Sequence, residues 1–381
     1  MKNFVKLVQQ AHEERYSVAL TKMLNKKIPV AFLSLASLNQ AVETVKDFRA
    51  QGLNITNLLT IDDSPFDRMN LDFNIVHINN AAKIYPRPEY VWVTDTIDTN
   101  FAKKFMGDCK IIMPILIRGK NSDQVYEIFM SHLSDLQEVY ESFIDEESKK
   151  TFLGYWRGCL MNRIDSVVYA NTPHYFLAGF MPKPGDIFID GGCYKGHTAT
   201  QFVSLGCQVY GFEMNKTSYN LTIGLAERKN FVLENLGLGA YEHESRYINA
   251  MGASRLDPNG NNTTQIVMLD SYVREKNLPR VDFIKLDVEG SELDVLKGAT
   301  ISISCWKPRL AISAYHKLDD LWTLMNFIKS IRPDYEFAMR QYSTDYASAP
   351  QTFNENLRPL FEQFGVDLSI PSFEECVLFA R

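Results

Sequence analysis

The sequence predicts an α/β protein, with a mostly parallel nucleotide-binding sheet in its second half and a separate α/β domain in its first. Three observations lead there. Short apolar runs alternate with amphipathic helical segments through both halves. One run, Ile187-Phe188-Ile189, ends in Asp190 and a glycine turn (Gly191, Gly192, Gly196) that opens a helix at His197. The next run, Gln208–Phe212, ends in Glu213, about twenty residues further on, where doubly wound folds place a ribose-binding acid.

A chain of 381 residues exceeds one compact core. The expected division is an N-terminal α/β domain over 1–120, a helical linker over 121–172 and the nucleotide-binding domain over 173–381. In the first domain, strands are expected at Pro29–Leu35, Asn57–Ile61, Phe73–Ile78, Tyr90–Val93 and Lys110–Ile115. A helix from Ser37 to Gln51 keeps Leu38, Ala41, Val42, Val45 and Phe48 on one face, with Ser37 and Gln40 as a capping box and Gly52 as its stop. Asp62, Asp63, Asp95 and Asp98 follow strands there and read as solvated caps. The domain is read as a substrate, partner or dimerisation module, a homodimer being the assembly the last of these would give.

Between the domains, Val125, Ile128, Phe129, Leu133, Leu136, Val139, Tyr140 and Phe143 form one helical stripe. A second helix begins at the acids 145–147 and carries Phe152, Tyr155, Trp156, Leu160 and Met161 as packing residues.

In the second domain, the strands 186–190 and 208–213 are followed by a helix over 216–227 and a strand over 230–238. The polar excursion 242–262 reads as a hairpin able to cover a site. A short helix over 269–276, strand 281–288, helix 291–301, strand 310–314, helix 319–331 and strands 335–340 and 376–380 complete the alternation. Ligands of such sheets lie beyond the carboxyl ends of the strands, where Asp190, Glu213, Asp287, Tyr315 and His316 fall.

Glycine placement narrows the ligand. The dinucleotide fingerprint needs a glycine at 193, which is cysteine, and no phosphate loop of the NTPase type occurs. A carboxylate at the strand end suits a ligand with positive charge and no phosphate, and S-adenosylmethionine has that character. Net charge is −6, which gives no nucleic-acid footprint. The six cysteines are scattered, which argues for reduced thiols rather than a disulfide or zinc framework. No apolar run is long enough for a membrane span and the first residues are too polar for a signal peptide, so a soluble cytoplasmic protein is expected.

Three segments, Phe188–Gly196, Val281–Ala299 (containing Lys-Leu-Asp-Val-Glu-Gly) and Leu310–Trp322, together resemble the FkbM-type S-adenosylmethionine-dependent methyltransferases over about residues 145–381. The resemblance implies the class I methyltransferase sheet, Rossmann-like, with seven mostly parallel strands and an antiparallel final hairpin. It also implies O-methylation of a hydroxyl. Carried onto this sequence, it makes Asp190, Gly192 and Gly196 the cofactor turn, with Asp190 holding the ammonium, and Glu213 the ribose acid. Asn235 becomes an adenine-edge contact, and Asp287 faces the methyl donor. His316 is the expected general base, assisted by Asp287. The acceptor is expected to be a small hydroxylated molecule such as a sugar. No metal is expected. Two other readings stand beside this one: a non-catalytic cofactor-binding or partner-recruiting protein, and a nicotinamide-dependent oxidoreductase.

Overall fold

A computed structural model describes residues 2–62, 71–114, 116–226, 230–343, 358–359, 361–366 and 372–381. The chain forms two compact units, and neither is one continuous stretch. The first comprises residues 1–134, 150–169 and 341–374, and the second 135–149, 170–340 and 375–381. The segment 121–172, expected as a linker, is therefore divided between the units, and the excursion before the final strand belongs to the first.

The first unit is built on five parallel strands, β1 (Val30–Leu33), β2 (Ile55–Thr60), β3 (Asn74–His77), β4 (Tyr90–Val93) and β5 (Lys110–Ile112), in the order β3-β2-β1-β4-β5. Continuous apolar runs make β1 and β4 buried throughout, as strands covered on both faces require. The helix Leu38–Ala50 buries Leu38, Ala41, Val42 and Val45, as its spacing predicts. Its expected capping box is absent, and the Leu38 amide donates to Asp62 Oδ2 at 2.9 Å. Asp98 likewise accepts from the Leu35 amide at 3.1 Å and is only 3% exposed. Two of the acids expected as solvated caps thus tie the β1–helix turn to neighbouring strands, while Asp95 is exposed and Asp63 lies outside the described residues. The predicted stripe over 125–143 is two helices, Ser122–Ser131 and Leu133–Ser142, separated at His132.

The second unit holds a seven-stranded sheet. Its strands begin with β6 (Ile187–Gly191), β7 (Gln208–Phe212) and β8 (Phe231–Glu234). A smaller sheet interrupts them, formed by β9 (Gly237–Leu238), β10 (His243–Ile248), β11 (Arg255–Leu256) and β12 (Asn262–Val267). The main sheet resumes with β13 (Phe283–Leu286), β14 (Arg309–Ser313), β15 (Phe337–Gln341) and β16 (Cys376–Ala380). The order is β15-β16-β14-β13-β6-β7-β8. Strands β8, β7, β6, β13 and β14 run parallel, and β16 is antiparallel to β14. Phe188 stacks between Phe202 and Phe283 with ring centroids 4.7 and 5.1 Å away, which ties the helix after the glycine turn to the sheet.

The strand expected over 230–238 is broken at Asn235 and Leu236: β8 stays in the main sheet while β9 pairs with β12 of the smaller one. The expected hairpin over 242–262 is real, and it grows into the smaller sheet through β12. Among the described residues, no helix is long and apolar enough to cross a membrane. The six cysteines are all free.

Burial raises the Asp98 pKa to about 7, against the opposing Leu35 hydrogen bond. The native state therefore holds a proton that the unfolded chain releases near pH 4, so this group's contribution to stability falls as pH rises from about 4 to about 7. Asp98→Asn, which keeps an acceptor for the Leu35 amide, is expected to flatten the pH dependence of the urea midpoint across that window. An unchanged profile would show that Asp98 is ionised in the fold.

Candidate active site

Four carboxyl ends of the main sheet converge at one cleft in the second unit. Its lining includes Gly192, Tyr194, Phe212, Glu213, Met214, Leu236, Leu238, Leu256, Ile266, Asp287, Glu289, Tyr315 and Glu375, and its empty volume is about 970 Å³ including the mouth. Chemically it has two ends. Apolar side chains from β7, β9, β11 and β12 form one; Asp287, Glu289, Ser291, Tyr315 and Glu375 form the other.

The glycine turn is held from beneath by a buried lysine. Lys285 on β13 lies opposite Asp190 on β6, with its ammonium 3.0 Å from Asp190 Oδ1, and the two side chains are 4% and 0% exposed. The ammonium donates to the carbonyls of Gly191 and Gly192 at 3.3 and 2.7 Å. Burial opposes its charge, but Asp190 and Asp287 outweigh burial and raise its pKa. Burial lifts the Asp190 carboxyl pKa against the pull of Lys285. Asp190, expected to meet a ligand's ammonium, is thus fully buried and does not line the cleft; it acts on the turn through Lys285.

Gly192 itself faces the cleft. Its φ is +74°, and a Cβ there would stand 1.9 Å from the carbonyl oxygen of Asp287, so only glycine fits between the turn and β13. Gly196 is the N-cap of the helix His197–Ser204 and packs toward Thr222, away from the cleft lining.

Glu213 lines the cleft and is 7% exposed. Its Oε2 accepts from the Tyr194 amide and its Oε1 from the Asn215 amide, both at 2.8 Å. Burial raises its pKa, and these two amides oppose the shift. Asn235, expected at an adenine edge, turns its amide back to donate to the carbonyls of Glu213 and Met214 at 2.8 and 3.3 Å. It shapes the acid's loop, and its neighbours Leu236–Leu238 form the wall.

Asp287 receives the hydroxyls of Tyr175 on Oδ2 and Tyr315 on Oδ1, both at 3.2 Å. Burial would raise its pKa, but Lys285 and His316 bring it below the usual value. His316 stands behind this carboxylate, outside the cleft lining. Its Nε2 is 3.6 Å from Asp287 and 3.4 Å from Glu289, and its Nδ1 is 2.9 Å from Glu292 Oε1. Burial opposes the imidazolium, yet the carboxylates of Glu289, Glu292 and Asp287 prevail and raise its pKa to about 10. Left with these partners alone, His316 is protonated at neutral pH and has no lone pair with which to act as the expected base.

Glu292, the first residue of the following helix, accepts from the amides of Val288 and Gly290 at 2.9 and 3.4 Å and so holds the loop that carries Glu289. Tyr175, Glu292 and Glu375 were not legible as site residues, because none carries a spacing signal that ties it to the glycine turn. Lys285 had one, being a lysine two residues before Asp287 in an otherwise apolar strand, hence on the same face.

Residues 190–339 match the family model described as the Methyltransferase FkbM domain. The second unit carries an FkbM methyltransferase domain. Methyltransferase FkbM from Methylobacillus flagellatus KT has a similar crystal structure, with a TM-score of 0.62 and 16% identity over 100% of this chain and 98% of that one. At that identity the likeness is one of fold, and it extends over the N-terminal unit, which the FkbM model leaves unmatched. Precorrin 8W decarboxylase from Methanobacterium thermoautotrophicum is matched over 52% of this chain and 82% of its own, at 12% identity and a TM-score of 0.31. Fibrillarin from Aeropyrum pernix, solved with natively bound S-adenosyl-L-methionine, is matched over 52% and 67%, at 10% and 0.30. Those two scores are too low to bear on the function of the FkbM domain. A search of curated proteins finds no match.

Lys285→Met is expected to destabilise the fold by about 3–5 kcal/mol in urea titrations, since it leaves Asp190 buried without its counter-charge. Adding Asp190→Leu should recover most of that loss. Two additive losses would mean that the pair is not coupled.

Proposed function

We propose that the protein is an S-adenosylmethionine-dependent O-methyltransferase acting on a hydroxyl of a small molecule, a sugar among the candidates. The observation that carries this reading is the charge of the cleft: Glu213, Asp287, Glu289 and Glu375 line it, with no lysine or arginine among the lining residues. Such a lining repels a pyrophosphate and favours a ligand with ammonium and sulfonium charges. This weighs against a nicotinamide dinucleotide as firmly as Cys193 does in the glycine turn.

The residues present fit that cofactor. Glu213, fixed by two amides and open to the cleft, is placed to take vicinal hydroxyls of a ribose. Leu236, Leu238, Leu256, Ile266 and Phe212 offer apolar walls for a purine. Gly192 supplies close backbone approach, and Asp287 faces the positive end. When bound, S-adenosylmethionine supplies a methyl group activated by its sulfonium. The chain then has to bind and align an acceptor oxygen and let its proton leave, and alignment is the larger share of that task. Asp287 and Glu289, at the polar end of the cleft, are the acids available to an acceptor there.

Calorimetry on the full chain tests the reading. Micromolar binding of S-adenosylmethionine is expected, weakened at least about tenfold by Glu213→Ala, or roughly 1.4 kcal/mol. Asp190→Ala should weaken it together with a fall in stability, because Asp190 acts through Lys285. No binding by the folded wild type would overturn the proposal. Binding without methylation of any hydroxylated acceptor would favour the non-catalytic reading.

A further inference from the structure

Asp287 and Glu289 are alternate residues, the spacing that puts two strand side chains on one face, and the chain leaves the extended conformation only at Glu289 (φ +53°) and Gly290 (φ +95°). One oxygen of Asp287, one of Glu289 and a ring nitrogen of His316 all lie within 4.8 Å of one another. Nε2 is 3.4 and 3.6 Å from the two carboxylates. Ligands placed at about 2.1 Å around one ion are themselves about 3–4 Å apart, so these separations need little adjustment.

The histidine supplies a second and independent observation. Its side chain is 10% exposed, and its Nε2 points at both carboxylates without forming a hydrogen bond. The other nitrogen, Nδ1, is set 2.9 Å from Glu292, which is 1% exposed and pinned by the Val288 and Gly290 amides. A carboxylate behind Nδ1 is the arrangement that orients metal-binding histidines, since it keeps the N–H on Nδ1 and leaves the Nε2 lone pair for the ion. Charge agrees as well. Asp190, Asp287, Glu289 and Glu292 outnumber Lys285, His316 and His174, the basic groups that act on them among the described residues.

We infer that Asp287, Glu289 and His316 form a divalent-cation site at the rim of the cleft, with Glu292 as the positioning carboxylate. Two carboxylates and one imidazole are a mixed oxygen–nitrogen set, suited to Mn²⁺ or Zn²⁺. Asp287 keeps its two tyrosine hydroxyls, because a carboxylate has lone pairs enough for both and for an ion. The place of Asp287 on the cleft wall lets the ion hold an acceptor hydroxyl and ease loss of its proton. That role rests on the methyl-transfer reading; binding of the ion does not.

The test is titration of chelator-treated full-length protein with Mn²⁺, followed by electron paramagnetic resonance, and with Zn²⁺, followed by calorimetry, both without S-adenosylmethionine. One ion per chain is expected, and Glu289→Gln and His316→Gln should each weaken it at least about tenfold. Because Glu289 is partly exposed, its variant should keep the wild-type melting temperature in chelator, which separates loss of the site from loss of the fold. A folded wild type that binds neither ion, or a Glu289→Gln that binds as tightly as wild type, would overturn the inference. Ion binding without S-adenosylmethionine binding would sink the methyl-transfer reading and leave the cation site standing. The reverse result would sink the cation site alone.

Discussion

The buried pair of Asp190 and Lys285 is the constraint on which the cleft depends. A lysine held at 4% exposure beside a carboxylate at 0% cannot be satisfied by solvent, so its remaining donors go to the nearest carbonyls, those of Gly191 and Gly192. That fixes the glycine turn against β13, and the contact is so close that a methyl group at position 192 would overlap the Asp287 carbonyl. Asp287, two residues beyond Lys285 on the same strand face, feels the same ammonium. One cation thus sets the turn, the acid that lines the cleft and the spacing between two strands.

Much of the second unit was legible in the sequence, because its signals are local. Strand, glycine turn, helix and the acid twenty residues on are all written within a short stretch, and Glu213 sits in the cleft as that spacing requires. The Val281–Ala299 segment pointed to the family now matched over residues 190–339. In the first unit, periodicity alone located the helix Leu38–Ala50 and all five strands, since each is a simple apolar run between breakers.

What stayed hidden was long-range and electrostatic. Asp190 reads as a ligand contact until Lys285, 95 residues later, is seen opposite it in register. His316 reads as a base until three carboxylates from the β13–helix junction surround it. Helix capping differs similarly: Ser37 and Gln40 have the right spacing but form no box, and the first helical amide, that of Leu38, is taken by Asp62 from the far side of β2 in sequence. Local rules rank local partners, and tertiary contacts overrule them wherever a stronger acceptor comes within reach. The break at Asn235 has the same origin, an amide drawn to the carbonyls of Glu213 and Met214.

The position of β16 bears on how the protein is made. Residues 376–380 enter the sheet between β14 and β15, both of which are synthesised earlier. Until then those two strands have an unfilled place between them, and β14 presents the bare edge of a half-built sheet. The second unit therefore closes only after the segment 341–374, which belongs to the first unit, has also left the ribosome. All of the first unit is thus synthesised before the last strand of the second, and a fragment ending before residue 376 would carry an open strand edge prone to self-association.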